Sequence, residues 1–98
     1  MSYVVIAKWT ARAGEEERVR AALIKLTPCS RSEIGCRFYQ PTQDPEDPRV
    51  FLLLEIYDDR AAYDAHAGSD HFRQHALEHA IPLLANRERS FYETVDPD

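Results

Sequence analysis

The stretch Val50-Phe51-Leu52-Leu53-Leu54-Glu55-Ile56-Tyr57 is the most strongly β-forming segment of the chain. Side chains of a strand alternate between its two faces, so the odd-numbered residues share one face and the even-numbered residues the other. Both faces are mainly apolar, which is typical of a strand that is covered on both sides. The segment therefore predicts a sheet with a layer packed against each of its faces.

The segments before this strand supply three further elements. Residues 3–10 are rich in β-branched and aromatic side chains and predict a strand. Three glutamates at 15–17 then begin a helix whose apolar side chains recur at helical spacing; they are Val19, Ala22, Leu23 and Leu26. Residues 36–40 predict a second strand, and the proline-rich stretch 41–49 predicts a rigid loop.

The segments after it complete the order of elements. Asp58 and Asp59 can cap a helix over 60–67 that ends at Gly68, and Ser69 can cap a second helix reaching about Ile81. Residues 89–95 predict a last strand. The order βαββαβ predicts an α+β, ferredoxin-like fold with a four-stranded antiparallel sheet. We expect one domain over residues 1–98, with its core in 3–95.

Composition excludes several classes of protein. The chain has 98 residues, 44% of them hydrophobic and 30% charged, and a net charge of −5. The sequence pI of about 5.3 argues against a nucleic-acid-binding surface. No apolar run approaches the length of a membrane span or of a secretory signal, so we expect a cytoplasmic protein with no membrane partner. Cys29 and Cys36 match no zinc or redox spacing, which predicts two reduced thiols.

The helices of this plan cover only one face of the sheet. The second apolar face of residues 50–57 must then meet something else, and another copy of the same sheet is the simplest cover. We therefore expect a homodimer with its sheets packed face to face, forming a dimeric α/β barrel. A monomer whose open face is shielded by loop and tail is the alternative.

The histidines point to two different environments. His71, His75 and His79 recur every four residues, a spacing at which a metal site must be considered. His75 lies off the apolar stripe of that helix and His79 lies at its edge; both are expected in solvent, so we predict no metal site. His66 and His71 flank the break between the two helices, where they could line one end of a pocket; two partly exposed histidines of a capping turn are the alternative.

Glu55 stands on an otherwise apolar strand face. A carboxylate there must either be paired or have its pKa raised by loss of hydration, and a raised pKa suits proton transfer near neutral pH. The competing interpretation is an ion pair at a subunit interface, with Arg37 or Arg89. No glycine-rich phosphate loop, G-x-S-x-G elbow or CxxC motif occurs, so no nucleotide cofactor is predicted.

Three stretches carry a resemblance to a known family. They are Glu33-Ile34-Gly35-Cys36-Arg37-Phe38-Tyr39, the strand 50–57, and Ala65-His66-Ala67-Gly68-Ser69-Asp70-His71-Phe72. The last looks like an H-x-x-S-x-H-F pattern, and together with the opening Val4-Val5-Ile6-Ala7 these stretches resemble the antibiotic biosynthesis monooxygenase family of the dimeric α/β-barrel superfamily. A haem-degrading branch of the superfamily fits poorly. The resemblance to that branch would imply an asparagine on the first strand and a tryptophan near the turn between the helices. Here the only asparagine is Asn86, and the only tryptophan, Trp9, lies on the first strand.

The resemblance implies a pocket between sheet and helices and a monooxygenase that oxidises a small phenol, quinol or polyketide-like substrate with O2 and no cofactor. In that chemistry His66 is expected to transfer the proton. Tyr57 or Tyr39 would hydrogen-bond the substrate oxygen, with Glu55 and His71 orienting them. Trp9, Phe51 and Phe72 would form the walls around the substrate. A ligand-binding protein without turnover and an isomerase of a small carbonyl metabolite are the alternatives.

Overall fold

The predicted alternation of strands and helices is confirmed. The computed structural model describes residues 1–96 and contains a four-stranded antiparallel sheet in the order β2-β3-β1-β4. The strands are β1 (Tyr3–Ala11), β2 (Cys36–Gln43), β3 (Val50–Tyr57) and β4 (Leu84–Glu93). The helices are α1 (Glu16–Arg31), α2 (Arg60–Ala67) and α3 (Asp70–Phe72), which continues as a π-helical segment (Arg73–Ala80) and a 3-10 turn (Ile81–Leu83). Residues 97 and 98 of the predicted domain lie outside the described part.

The two faces of β1 and β3 divide as their alternation predicts. The odd-numbered side chains of β3 are buried beneath the helices, whereas the even-numbered ones are half-buried or exposed on the open face. On β1, the buried side chains are likewise odd-numbered, from Val5 to Ala11. Trp9 pairs with Phe51, and Val5 lies between Glu55 and Phe91 across three strands. The core therefore sits between the sheet and α1, whose predicted apolar stripe is buried.

The helix caps around α2 form as predicted. The Asp59 carboxylate accepts a hydrogen bond from the Ala62 backbone N–H at 2.9 Å, and Ser69 Oγ accepts one from the Phe72 N–H at 3.2 Å. Gly68 ends α2. These caps fix the chain direction at both ends of α2 and so orient the side chains between them.

Gly35 allows α2 to approach the start of β2 closely. A Cβ atom on Gly35 would overlap the Cβ atom of Ala62, and the Gly35 carbonyl accepts a hydrogen bond from the Asp58 N–H at 2.9 Å. The turn that joins α1 to β2 is thereby held against the first turn of α2.

Two predicted boundaries were wrong. β2 extends to Gln43 instead of Gln40, because it is an edge strand and an edge tolerates the missing N–H of Pro41. β4 begins at Leu84 instead of 89, because its early residues pair with the end of β1. The helix expected to reach Ile81 is present, but most of it is π-helical.

Cys29 and Cys36 are both free and half-buried. Within residues 1–96, no helix is both long and apolar enough to cross a membrane.

Candidate active site

His66 is the buried centre of the site. It lies in the last turn of α2, and its side chain is directed into the protein with only 1% of the residue exposed. Its Nδ1 atom lies 2.9 Å from Oε2 of Glu33, a residue of the turn between α1 and β2. The alternative of a partly exposed His66 is therefore wrong.

His71 reaches the same carboxylate from the other side of the helix break. A hydrogen bond joins its Nε2 atom to Oε2 of Glu33. The predicted convergence of His66 and His71 is confirmed, and Glu33 is the group on which they converge. Periodicity gave Glu33 no role; its only signal was its place at the head of the segment 33–39 that resembles the family.

Glu55 and Tyr57 extend the arrangement along β3. Strand alternation places both on the buried face, where the Tyr57 hydroxyl donates to Glu55 Oε1 at 2.6 Å. The His66 Nε2 atom faces the same Glu55 oxygen at 3.8 Å. We refer to His71, Glu33, His66, Glu55 and Tyr57, in that order, as the polar relay.

Burial shifts the pKa values of this relay in opposite directions. Loss of hydration raises the pKa of Glu55 from 4.5 to about 7, although the Tyr57 hydrogen bond opposes the rise. Burial lowers the pKa of His66, against the pull of Glu33. Burial, reinforced by the Glu55 charge, raises the pKa of Tyr57 well above its usual range. Near neutral pH the relay therefore holds a neutral imidazole, a phenol and a carboxyl group that is about half protonated.

Of the two interpretations, burial of Glu55 on the helix-facing side therefore favours the raised pKa. The alternative of an ion pair with Arg37 or Arg89 at an interface is wrong, because Glu55 faces the helices instead of the open face. Arg37 pairs with Asp58 on the surface.

Aromatic side chains surround His66. Phe72 packs edge-on against its imidazole with ring centroids 5.0 Å apart, and the Tyr39 ring lies at 5.6 Å. Both belong, with Trp9 and Phe51, to the packed core. Their predicted role as substrate-binding residues stays a prediction.

Tyr63 connects this buried cluster to the surface. Its ring lies 5.5 Å from that of Tyr57 and 5.7 Å from that of Phe91, which is 43% exposed. Tyr63 lies on α2, three residues before His66, and no sequence pattern gave it a role. Because His66 and Glu55 are buried, a ligand can reach them only if a half-buried neighbour such as Tyr63 moves.

Three members of the relay could also serve as metal ligands. Glu33, His66 and His71 each offer one ligand atom, all within 4.8 Å of one another. His75 and His79, both expected in solvent, lie beside Lys25 along a groove between α1 and the π-helical segment; His79 is exposed and His75 half-buried. Glu33, His66 and His71 are already joined by hydrogen bonds to one another, so the cluster is a hydrogen-bonded network.

Comparison of the sequence with known proteins shows the family of the chain. The model of the antibiotic biosynthesis monooxygenase family matches residues 2–76. The chain belongs to this family. It is 35% identical over 68 residues to the "Putative monooxygenase Rv0793" of Mycobacterium tuberculosis, a match covering 69% of this chain and 66%, about two thirds, of that relative.

Solved structures extend the likeness over the full fold of this family member. The structure of PA3566 from Pseudomonas aeruginosa has a TM-score of 0.89 at 29% identity, covering 97% of this chain and 95% of that one. The structure of Rv0793 has a TM-score of 0.88 at 26% identity, covering 99% and 98%. The predicted ferredoxin-like fold and the predicted family are both confirmed.

Proposed function

We propose that this family member is a cofactor-independent monooxygenase that oxidises a small phenol, quinol or polyketide-like substrate with O2 in the cytoplasm. The observation that carries the proposal is the buried His66, with Glu33 on its Nδ1 side and Glu55 on its Nε2 side. The monooxygenase name of the Mycobacterium tuberculosis relative supports the same reaction class.

His66 is suited to accept a proton. Its lowered pKa keeps the imidazole neutral at neutral pH. If Nδ1 donates to the Glu33 carboxylate, the lone pair of Nε2 is available to a substrate hydroxyl. The negative charge of Glu33 then stabilises the imidazolium that forms. The arrangement resembles a base oriented by a carboxylate, which is a recurring solution in enzymes.

The substrate anion supplies the electrons in this proposal. A deprotonated phenol gives one electron to O2, and the resulting radical pair combines to form a carbon–oxygen bond at the ring. The peroxide takes up a proton and loses water, so that a ring CH2 or CH carbon becomes a carbonyl. One O2 is consumed; one of its oxygen atoms enters the product and the other leaves as water.

Glu55 and Tyr57 would handle the protons on the other side of His66. A carboxyl group whose pKa is about 7 can both give and take a proton near neutral pH. Tyr57 stays protonated and can donate a hydrogen bond to a developing oxyanion once Glu55 releases it. In the proposed reaction, His71 orients Glu33 and does not contact the substrate.

Oxygen uptake without a metal tests this function. We expect the purified protein, dialysed against a chelator, to consume one O2 per substrate when given an electron-rich hydroquinone or an anthrone. An oxygen electrode measures the rate, and mass spectrometry of molecules retained by the purified protein guides the choice of substrate. A rate that disappears on chelation and returns with added metal would contradict the cofactor-independent mechanism.

The same measurements separate the two alternatives. Tight ligand retention without oxygen uptake would indicate a binding protein. Exchange of substrate hydrogen with D2O, without oxygen uptake, would indicate an isomerase.

We also propose that the active form is a homodimer joined through the open face of the sheet. That face carries half-buried or exposed apolar side chains on its strands, among them Val4, Ile6, Leu52, Leu54 and Ile56. Monomeric proteins rarely expose an apolar patch that extends across several strands.

Replacing Leu52 by aspartate should dissociate this dimer. Leu52 is 36% exposed and lies on β3, one of the two central strands, so a buried charge there has no partner. Equilibrium ultracentrifugation at micromolar concentration should show a dimer for the unmodified protein and a monomer for Leu52→Asp. Ile34→Asp, at a fully exposed turn residue, is the matched control and should remain dimeric. A monomeric unmodified protein would refute the proposal.

A further inference from the structure

Two arginines lie near the polar relay without a direct ion pair. Arg87 and Arg89 are alternate residues of β4 and share its helix-facing side, where they pair with Trp9 and Ala7 of β1. Within residues 1–96, neither has a carboxylate oxygen within 4.0 Å, although Arg37, Arg49 and Arg73 all do. Arg12, Arg20, Arg31 and Arg60 form no ion pair in residues 1–96 either, so what distinguishes Arg87 is that it is half-buried beside a second arginine.

Leaving the guanidinium group unpaired costs more free energy at Arg87 than at Arg89. Arg87 is half-buried, and its Nε–H is shielded from solvent with no hydrogen-bond acceptor in the described structure. Burial and the neighbouring charge of Arg89 both lower the pKa of Arg87. A buried donor on a charged group is expensive to leave unpaired, and a second cation beside it adds to that cost. An anion bound at this position would relieve both penalties.

Arg89 contacts the aromatic side chains that lie between the two arginines and His66. Its Nη1 atom donates to the Tyr63 hydroxyl at 3.1 Å, and its guanidinium carbon lies 5.8 Å from the centre of the Phe91 ring. Tyr63 in turn stacks near His66, with ring centroids 6.3 Å apart. The groups that surround an anion at Arg87 and Arg89 are therefore aromatic, and they lead to the proposed base.

Arg89 and Glu55 are diagonal neighbours on the two strands that flank β1. Only β1 separates β3 from β4, so the backbones of β3 and β4 are about 10 Å apart. Glu55 pairs with Val5 and Arg89 with the next same-face residue, Ala7, whereas Arg87 lies one step further along, opposite Trp9. The β1 residues between Glu55 and Arg89 are Val5 and Ala7, and both are buried, so a ring can lie there only if the half-buried Tyr63 moves aside. A ring with an anionic group at one end and a hydroxyl at the other would bridge the two sides.

We propose that Arg87 and Arg89 bind the carboxylate of an aromatic acid, so that the substrate of this enzyme is an acidic phenol or hydroquinone. The carboxylate accepts hydrogen bonds from both guanidinium groups, and the ring lies against Tyr63 and Phe91. The hydroxyl group then points toward His66. Binding of an anion by these two arginines does not depend on which reaction the protein catalyses. The role of the acid as substrate rests on the proposed function.

Binding of a matched acid and amide tests this site. We would titrate the protein with 2,5-dihydroxybenzoate and with 2,5-dihydroxybenzamide, which has the same shape without the charge, by calorimetry under anaerobic conditions. The acid should bind at least tenfold more tightly than the amide, and this ratio should fall toward one in Arg87→Gln and Arg89→Gln. Arg49→Gln, which removes a surface arginine on the loop before β3, should retain the full ratio. Arg87→Lys, which keeps the charge, should retain part of it and guards against a folding defect.

Each outcome bears on one of the two proposals. Equal affinity for the acid and the amide, or a ratio that survives both glutamine variants, would overturn the anion site. Preferential binding of the acid without oxygen uptake in air would leave the anion site standing and count against the monooxygenase function. The preference for the acid could also disappear in high salt but persist in Arg87→Gln and Arg89→Gln. That result would indicate long-range attraction by the overall charge distribution and would also overturn the site.

Discussion

Replacing His66 by alanine should lower the rate of oxygen uptake by about a hundredfold or more. A positioned general base typically contributes two to four orders of magnitude, and no other neutral base in the described structure occupies the position between Glu33 and Glu55. The loss should appear in kcat more than in KM, because the imidazole acts on the substrate proton and contributes little to ring binding. Steady-state kinetics with an oxygen electrode would measure both constants.

A buried imidazole also contributes to packing, so the variant needs controls. His79→Ala removes an exposed histidine of the π-helical segment and should leave the rate unchanged. Added imidazole should partly restore the His66→Ala rate if the missing group is a base, but not if the variant is misfolded. Glu33→Gln keeps the shape of the Glu33 side chain and should cause a smaller loss, with the acid limb of the pH profile displaced to lower pH. An unchanged rate in His66→Ala would remove His66 from the proposed role.

The second large effect concerns Glu55 and stability. Its folded-state pKa, raised from 4.5 to about 7, means that the folded protein holds a proton that the unfolded chain releases between these values. The free energy of unfolding should therefore fall by about 3 kcal/mol from this group alone as pH rises from 4.5 to 8. Glu55→Gln carries no ionisable group there, so its stability relative to the unmodified protein should increase over the same range by about that amount.

The comparison between variants is essential because His66 acts in the opposite direction. Its lowered pKa gives the unfolded chain the extra proton near pH 6, so its contribution to stability increases with pH. Urea unfolding at pH 4.5, 6 and 8 for both proteins isolates the Glu55 contribution. Glu46→Gln, in the exposed loop before β3, is the matched control for removing a carboxylate outside the relay. A difference that stays constant with pH for Glu55→Gln would mean that Glu55 is not held in its protonated form.

Local sequence signals predicted most of the scaffold around the site. The two helix caps at Asp59 and Ser69 and the alternation of β3 side chains between two faces depend on neighbours a few residues away, and all are confirmed. Alternation puts Glu55 and Tyr57 on the same face of β3, but only the packed structure shows that this face meets the helices and that His66 points inward.

The missing part of the site was Glu33, which no local pattern marks. It lies in a turn 33 residues before His66, and its role appears only when the turn packs against α2. No sequence pattern identified Arg87 as a site residue, for a related reason. Its strand was predicted to begin two residues later, so its face was undefined until β4 was seen to pair with the end of β1.

Gly35 controls the distance between Glu33 and His66. Because its missing Cβ lets Ala62 approach, the separation between the turn that bears Glu33 and the helix that bears His66 is set by the Ala62 methyl group against the Gly35 backbone. Any larger residue at either position would act as a spacer and lengthen the Glu33–His66 hydrogen bond without changing either partner. The basicity of the imidazole could thus be tuned from a site that carries no functional group, and variation at Gly35 or Ala62 between relatives would be a mark of altered proton chemistry.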